Sequence, residues 1–240
     1  MSIFKFRNSF HIRGKKTIAL IFCLFTLSKS FGQYTANTNL PFYDDKLLHY
    51  GFFLAAGVTK FNVVHSDYYF QLDSITQAAP GRNGALTIGF IVNLKLHDHW
   101  DLRLLPNFSL YTRNVQYEFK NKYKSDQITE SSYINLPLLV KFKSQRRKNS
   151  RMYILGGINP GIEAGAKKKE KKETDLRVQN TDLRIDYGFG FDIYYPLFKF
   201  SPELRFSHGF KNMLIPDENI YSNSLKKVFT HTVTLYLNFE

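Results

Sequence analysis

Residues 183–195 read LRIDYGFGFDIYY, and two chemistries alternate along them with a period of two. Leu183, Ile185, Tyr187, Phe189, Phe191, Ile193 and Tyr195 share one parity. Arg184, Asp186, Gly188, Gly190, Asp192 and Tyr194 share the other. Successive side chains of a β-strand point to opposite faces, so the segment predicts a strand with one greasy and one polar face. The pattern repeats over 198–210, where Phe198, Phe200, Leu204, Phe206 and Phe210 oppose Lys199, Ser201, Glu203 and Arg205. It returns from Phe229 onward, where Val233, Leu235, Leu237 and Phe239 oppose Thr230, Thr232, Thr234, Tyr236 and Asn238.

Five earlier segments, 49–61, 84–96, 100–112, 130–143 and 151–163, extend the series to eight strands. Each is long enough for the roughly 9–11 residues that a tilted membrane-crossing strand needs. The connections, 62–83, 97–99, 113–129, 144–150, 164–182, 196–197 and 211–228, alternate long and short without exception. Short periplasmic turns and longer external loops are the habit of an outer-membrane barrel. The expectation is an all-β, eight-stranded antiparallel transmembrane β-barrel with both termini periplasmic. Four prolines, Pro106, Pro137, Pro160 and Pro202, fall inside the strands and mark bulges or shorter spans, because proline cannot donate to a ladder.

A basic stretch (Arg13, Lys15, Lys16), the apolar run TIALIFCLFTL at 17–27 and the small residues around SKSFG form a signal peptide over 1–32. Residues 33–48 are expected as a periplasmic segment and 49–240 as the barrel domain. The only cysteine, Cys23, lies within the apolar run, so beyond residue 32 no disulfide or cysteine metal site is possible. Six basic and no acidic residues precede residue 33, so the formal charge of +13 falls to +7 beyond it. Much of the remainder is local, in AKKKEKKE near Lys167 and in the turn KSQRRKNS, which are expected as solvated loops; no nucleic-acid partner is expected.

With about eight strands a barrel interior is just wide enough to be filled by side chains. The bulky apolar parity is therefore assigned to lipid and the polar parity to the lumen. The lumen would hold Arg103, Lys141, Arg184, Asp186, Asp192, Glu203 and Arg205 as a structural charge network, since buried charges must be paired. His97 and His99 flank Asp98 in a wetted turn, and His208 and His231 sit at the external rim of the lipid-facing parity. No P-loop, dinucleotide fingerprint or metalloprotease helix is present, and inward Ser109, Ser201 and Ser207 have no inward histidine at matching depth. Neither catalysis, nor a cofactor, nor a metal is expected. External loops are the better place for function. Exposed Tyr68, Tyr69 and Phe70, with Met213, Leu214 and Ile215, are candidate anchors for a partner protein, and packing over the barrel mouth is the alternative.

The stretches HYGFFLAAGVTKFNV (49–63), ESSYINLPLLVKFKS (130–144), RMYILGGINPGIE (151–163), ELRFSHGFKNML (203–214) and TVTLYLNFE (232–240) resemble the PorT-like outer-membrane β-barrel proteins of the Bacteroidetes. That porin-like group consists of small barrels. The resemblance implies residence in the cell outer membrane and a part in the type IX secretion system, which exports cargo bearing a C-terminal sorting domain and supports gliding motility. It implies outer-membrane lipids and other secretion-machinery proteins as partners, and it carries no catalytic residues. The narrow lumen favours an accessory or assembly role. A general structural or adhesion barrel and a lipid-modifying enzyme are the alternatives.

Overall fold

The computed structural model describes residues 38–71, 75–120, 123–164, 178–217 and 220–240. The expected signal peptide, residues 33–37 of the segment after it and the Lys/Glu block near Lys167 lie outside these residues. Eleven β-segments run in chain order: β1 Leu48–His65, β2 Ile75–Pro80, β3 Asn83–Lys95, β4 Trp100–Leu104, β5 Asn107–Phe119, β6 Lys124–Asn135, β7 Leu138–Lys143, β8 Ser150–Glu163, β9 Thr181–Tyr194, β10 Lys199–Gly209 and β11 Leu225–Phe239. Consecutive pieces β2/β3, β4/β5 and β6/β7 each form one wall, so the ring has eight walls. Every pairing is antiparallel and the ring closes, with β1 bonded to both β3 and β11. Closure leaves no sheet edge at the level of the apolar belt, which is the condition for a strand structure in hydrocarbon.

Proline explains two of the breaks. Pro106 separates β4 from β5, and Pro137 separates β6 from β7. The ladder survives across them because the proline carbonyls still accept: Phe90 N donates to Pro106 O and Leu105 N to Pro137 O, each at 3.0 Å. Pro160 and Pro202 stay within β8 and β10. Glycine on the inward parity makes room for large neighbours. Gly190 is paired with Tyr153, and a Cβ there would sit 2.5 Å from the tyrosine ring.

The outward parity is apolar and exposed around the ring, with Phe52, Leu54, Leu86, Ile88, Phe90, Ile134, Ile154 and Phe189 among its members. On β1 this band runs from Leu48 to Val58, eleven residues. At about 3.3 Å per residue and a tilt near 40° that is roughly 25 Å of height, the thickness of an outer-membrane apolar band. Aromatic rings crowd its lower border: Phe52 stacks on Phe239 at 5.2 Å, Tyr195 on Phe198 at 5.1 Å, and Trp100 leans on Phe142 at 4.8 Å. Amphipathic rings collect at membrane–water interfaces.

The long external connections differ from the sequence expectation. Residues 113–129 are not a loop: β5 and β6 continue as a ladder up to Glu118↔Lys124 and turn within a few residues. β1 and β11 likewise run on together to Val63↔Val228 and beyond. Above the belt the alternation reverses phase. Phe61, Val115, Tyr117 and Val228 now face inward and are buried, whereas Asn62, Gln116 and Lys227 face out and are exposed. The outer surface there meets water, so a pattern search for outward apolar residues stops at the membrane surface although the strands do not.

Candidate functional site in the barrel lumen

The inward parity converges on a charge-rich interior. Eight basic side chains (Arg103, Arg113, Lys141, Lys143, Arg151, Arg184, Lys199, Arg205) and six acidic ones (Asp101, Glu163, Asp182, Asp186, Asp192, Glu203) are buried. The buried carboxylate of Glu240 adds a seventh acid. All seven sequence-predicted lumen residues lie here, and they meet across the barrel as well as along neighbouring strands. Lys141 of β7 reaches Asp192 of β9 at 2.9 Å, and Arg103 of β4 reaches Glu203 of β10 at 3.4 Å. Glu203 also receives Arg205 and the Tyr153 hydroxyl, the latter at 2.9 Å. Arg205 stands 3.9 Å from Asp186. Arg184 is held mainly by neutral groups, donating to the Tyr111 hydroxyl at 2.9 Å and to Asn135, with Asp182 at 3.8 Å.

Asp192 is, like Glu203, an acid shared by three donors. Lys141, Arg151 (2.8 Å) and the Ser201 hydroxyl (2.7 Å) all donate to it. Several members escaped the sequence reading: Asp101 and Lys143, paired at 2.7 Å, Lys199 and Glu240, paired at 2.8 Å, and Arg151; Glu240 also receives the predicted Arg103 at 2.8 Å. They sit on the same parity as the predicted ones, so extending that parity to both strand ends would have found them.

A strap closes the periplasmic mouth. Asn39 donates to the Tyr194 carbonyl at 2.9 Å, Asp44 pairs with Arg151 at 2.8 Å, and the Tyr43 hydroxyl donates to Glu240 at 3.0 Å. Arg146, expected in a solvated turn, donates instead to the carbonyls of Asn39 and Leu40 and stacks on Tyr194 at 3.6 Å. Burial, and then the Glu240 carboxylate, pushes the Tyr43 phenol well above its ordinary range. Burial would also raise Glu240, but Lys199 and then Arg103 outweigh it and hold the carboxyl below the usual carboxylate range.

An apolar lid closes the other mouth. Met213 and Leu214 are buried there with Phe61, Val115, Tyr117, Val178, Leu225 and Val228. The expectation of Met213 and Leu214 as exposed anchors is corrected: the phase reversal gives the upper lumen an apolar lining, and these side chains cover it. Ile215 is half-buried, Tyr68 is 51% exposed, and Tyr69 packs on His65 at 4.4 Å. Phe70 belongs to the same 3-10 turn, Tyr68–Gln71.

Residues 31–214 match the family described as outer membrane protein beta-barrel domain. The chain belongs to that family. This outer-membrane barrel is similar to the outer membrane protein OprG of Pseudomonas aeruginosa, with 14% identity over 79% of this chain and 93% of that one, at a TM-score of 0.41. It is also similar to Neisserial surface protein A (12%, 78% and 95%, TM-score 0.39) and to the Ail protein of Yersinia pestis (14%, 79% and 97%, TM-score 0.29). No curated protein matches the sequence.

The remaining sequence candidates have ordinary partners. Exposed Asp98 pairs with half-buried Lys95 at 3.1 Å, whose hydrogen bond and charge lower the Asp98 pKa, and His99 bonds the Lys143 carbonyl at 2.9 Å. Two inward histidines of β1 were missed, His49 and His65, the latter bonded to the Ala78 carbonyl at 2.9 Å. His49 is buried, but it bonds the Tyr43 carbonyl at 2.7 Å rather than a serine. Among the described residues no group of three or more His, Cys, Asp or Glu side chains could hold a metal ion.

Proposed function

We propose that this barrel is a non-enzymatic, non-conducting accessory or assembly component of protein export by the type IX secretion system, docking a larger translocon through its wall or external surface. The observation that carries the accessory part is the filled interior. Strap, ion-paired lumen and apolar lid lie one above another, and a passing polypeptide would have to break the Asp192 and Glu203 clusters. The lumen charges then have a structural role, holding opposite walls together. The secretion part is supported by the resemblance of residues 49–63, 130–144, 151–163, 203–214 and 232–240 to PorT-like proteins. Withdrawal of Met213 and Leu214 into the lid leaves Tyr68 of the first external loop as the exposed one of these three candidate anchors. The absence of a catalytic role is supported by the hydroxyl partners: Ser201 donates to Asp192 and Ser109 to Asn107.

The test is deletion of the gene, followed by an assay for secretion of cargo bearing a C-terminal sorting domain. Loss of secreted cargo, restored by the wild-type gene, is expected. Normal secretion would leave a general structural or adhesion barrel. Loss of an outer-membrane lipid modification, with secretion intact, would point to an enzyme.

A further inference from the structure

Two features of the outer wall meet on adjoining strands. The first is a row of basic side chains immediately above the apolar belt. Lys60 of β1 is in register with His231 of β11, and His231 with His208 of β10. On the other side Thr59 pairs with Asn83, and exposed Arg82 follows one residue beyond. His208 and His231 are fixed, their Nδ1 atoms 2.6 Å apart and the Tyr187 hydroxyl 2.8 Å from His208 Nε2. Lys60 and Arg82, by contrast, have no ion pair or side-chain hydrogen bond among the described residues.

The second feature is a furrow directly below that row. Ala56 points outward between Leu86 and Leu235, its register partners on the two flanking strands. The short side chain leaves a trough of about 400 Å³, walled by Leu54, Leu86, Ile88, Leu110 and Leu235. Its upper end is open, because a Cβ added at Gly84, opposite Val58, would meet nothing within 4 Å. Ala56 lies four residues below Lys60, roughly 13 Å at about 3.3 Å per residue, a depth that an acyl chain reaches from its headgroup.

We propose that this face is a binding site for a phosphate-bearing lipid of the outer leaflet, its phosphate held by Lys60, Arg82 and His231 and one acyl chain laid in the furrow over Ala56. The chemistry selects this ligand. Unpartnered cations at an interface attract anionic headgroups, and the guanidinium fork matches phosphate oxygens. The furrow is lined almost wholly by apolar groups and suits hydrocarbon. Neither feature depends on the secretion reading.

The test is native mass spectrometry of the full chain released from detergent micelles, titrated with lipid A and with the same lipid enzymatically stripped of its phosphates. The double variant Lys60→Gln/Arg82→Gln should bind lipid A at least about tenfold more weakly than wild type. It should bind the dephosphorylated lipid equally well. Ala56→Phe should weaken binding of both lipids. Arg147→Gln/Lys148→Gln, which removes the same charge at the opposite mouth, should change nothing. Heat-shifted mobility on gels confirms that each variant is folded. Equal lipid A binding by wild type and the Lys60/Arg82 variant would overturn the headgroup assignment, as would equal loss in the opposite-mouth control. Glycerol phosphate binding as tightly as lipid A would overturn the lipid in favour of a soluble anion.

Discussion

On β1, outward Leu54 and Val58 are apolar and exposed; a few residues higher, outward Lys60 and Asn62 are polar, and inward Phe61 is the buried residue. β5 and β11 make the same change, from Phe108 and Leu235 outward to Val115 and Val228 inward. One set of strands therefore builds two regions of opposite polarity. The lower region faces hydrocarbon and encloses charge, and the upper region faces water and encloses an apolar lid. Only the solvent outside has changed. The alternation of a strand records which face is wetted, so its phase shift locates the membrane surface more sharply than any single residue.

If the lower lumen is held by its ion pairs, removing a shared acid should have the largest effect. Asp192→Ala leaves Lys141 and Arg151 buried without their carboxylate. Breaking a buried pair on one side costs about 3–5 kcal/mol. A urea unfolding titration in lipid vesicles should show this loss, and a change under about 1 kcal/mol would mean that water solvates the lumen freely.

The outer wall supplies the next test. Phe189→Arg places a charge in mid-belt and should cost about 2–4 kcal/mol in the same titration. Gln116→Arg lies on the outward parity of β5 above the belt, where the surface is exposed, and should stay within about 0.5 kcal/mol. Equal penalties at the two positions would erase the boundary between the regions.

The lower region was legible in the sequence because its two faces differ in kind. Residues 183–195 carry Phe189 and Phe191 against Asp186 and Asp192, and no soluble fold needs that contrast sustained around a whole ring. The upper region was not legible by the same rule. Val115 and Tyr117 have the parity that lower down means lumen and charge, so the same rule ends the strand below them. Nor could the strap be foreseen. Tyr43 and Asp44 precede Arg146 and Arg151 by about a hundred residues, and they meet these arginines, Tyr194 and Glu240 only because the barrel brings residues 39–44 and the end of β11 to one mouth. The rim row of Arg82, Lys60, His231 and His208 was half visible, as two histidines on a greasy parity; register was needed to align the other two.

Acid should separate the two mouths, with a smaller effect than either substitution. Glu240 anchors the strap through Tyr43, Lys199 and Arg103, and its carboxyl is held below the ordinary range by Lys199 and Arg103 against the opposing effect of burial. A folded-state value below the unfolded one, about 4.3, means that the stabilisation is complete above that value. It is lost only as the pH falls through the depressed folded value. The strap should stay latched at pH 5 and loosen in stronger acid. The lid is packed from Met213, Leu214, Val115 and Val228, none of which titrates, so it has no reason to follow. A nitroxide on exposed Phe42→Cys should gain mobility in that acid window, while one on Tyr68→Cys at the outer mouth should not, both in a Cys23→Ser background. Glu240→Gln should leave the Phe42 label mobile at every pH. A label that loosened at both mouths together would show the whole ring opening, and the two regions would then be one cooperative body rather than two packed by different forces.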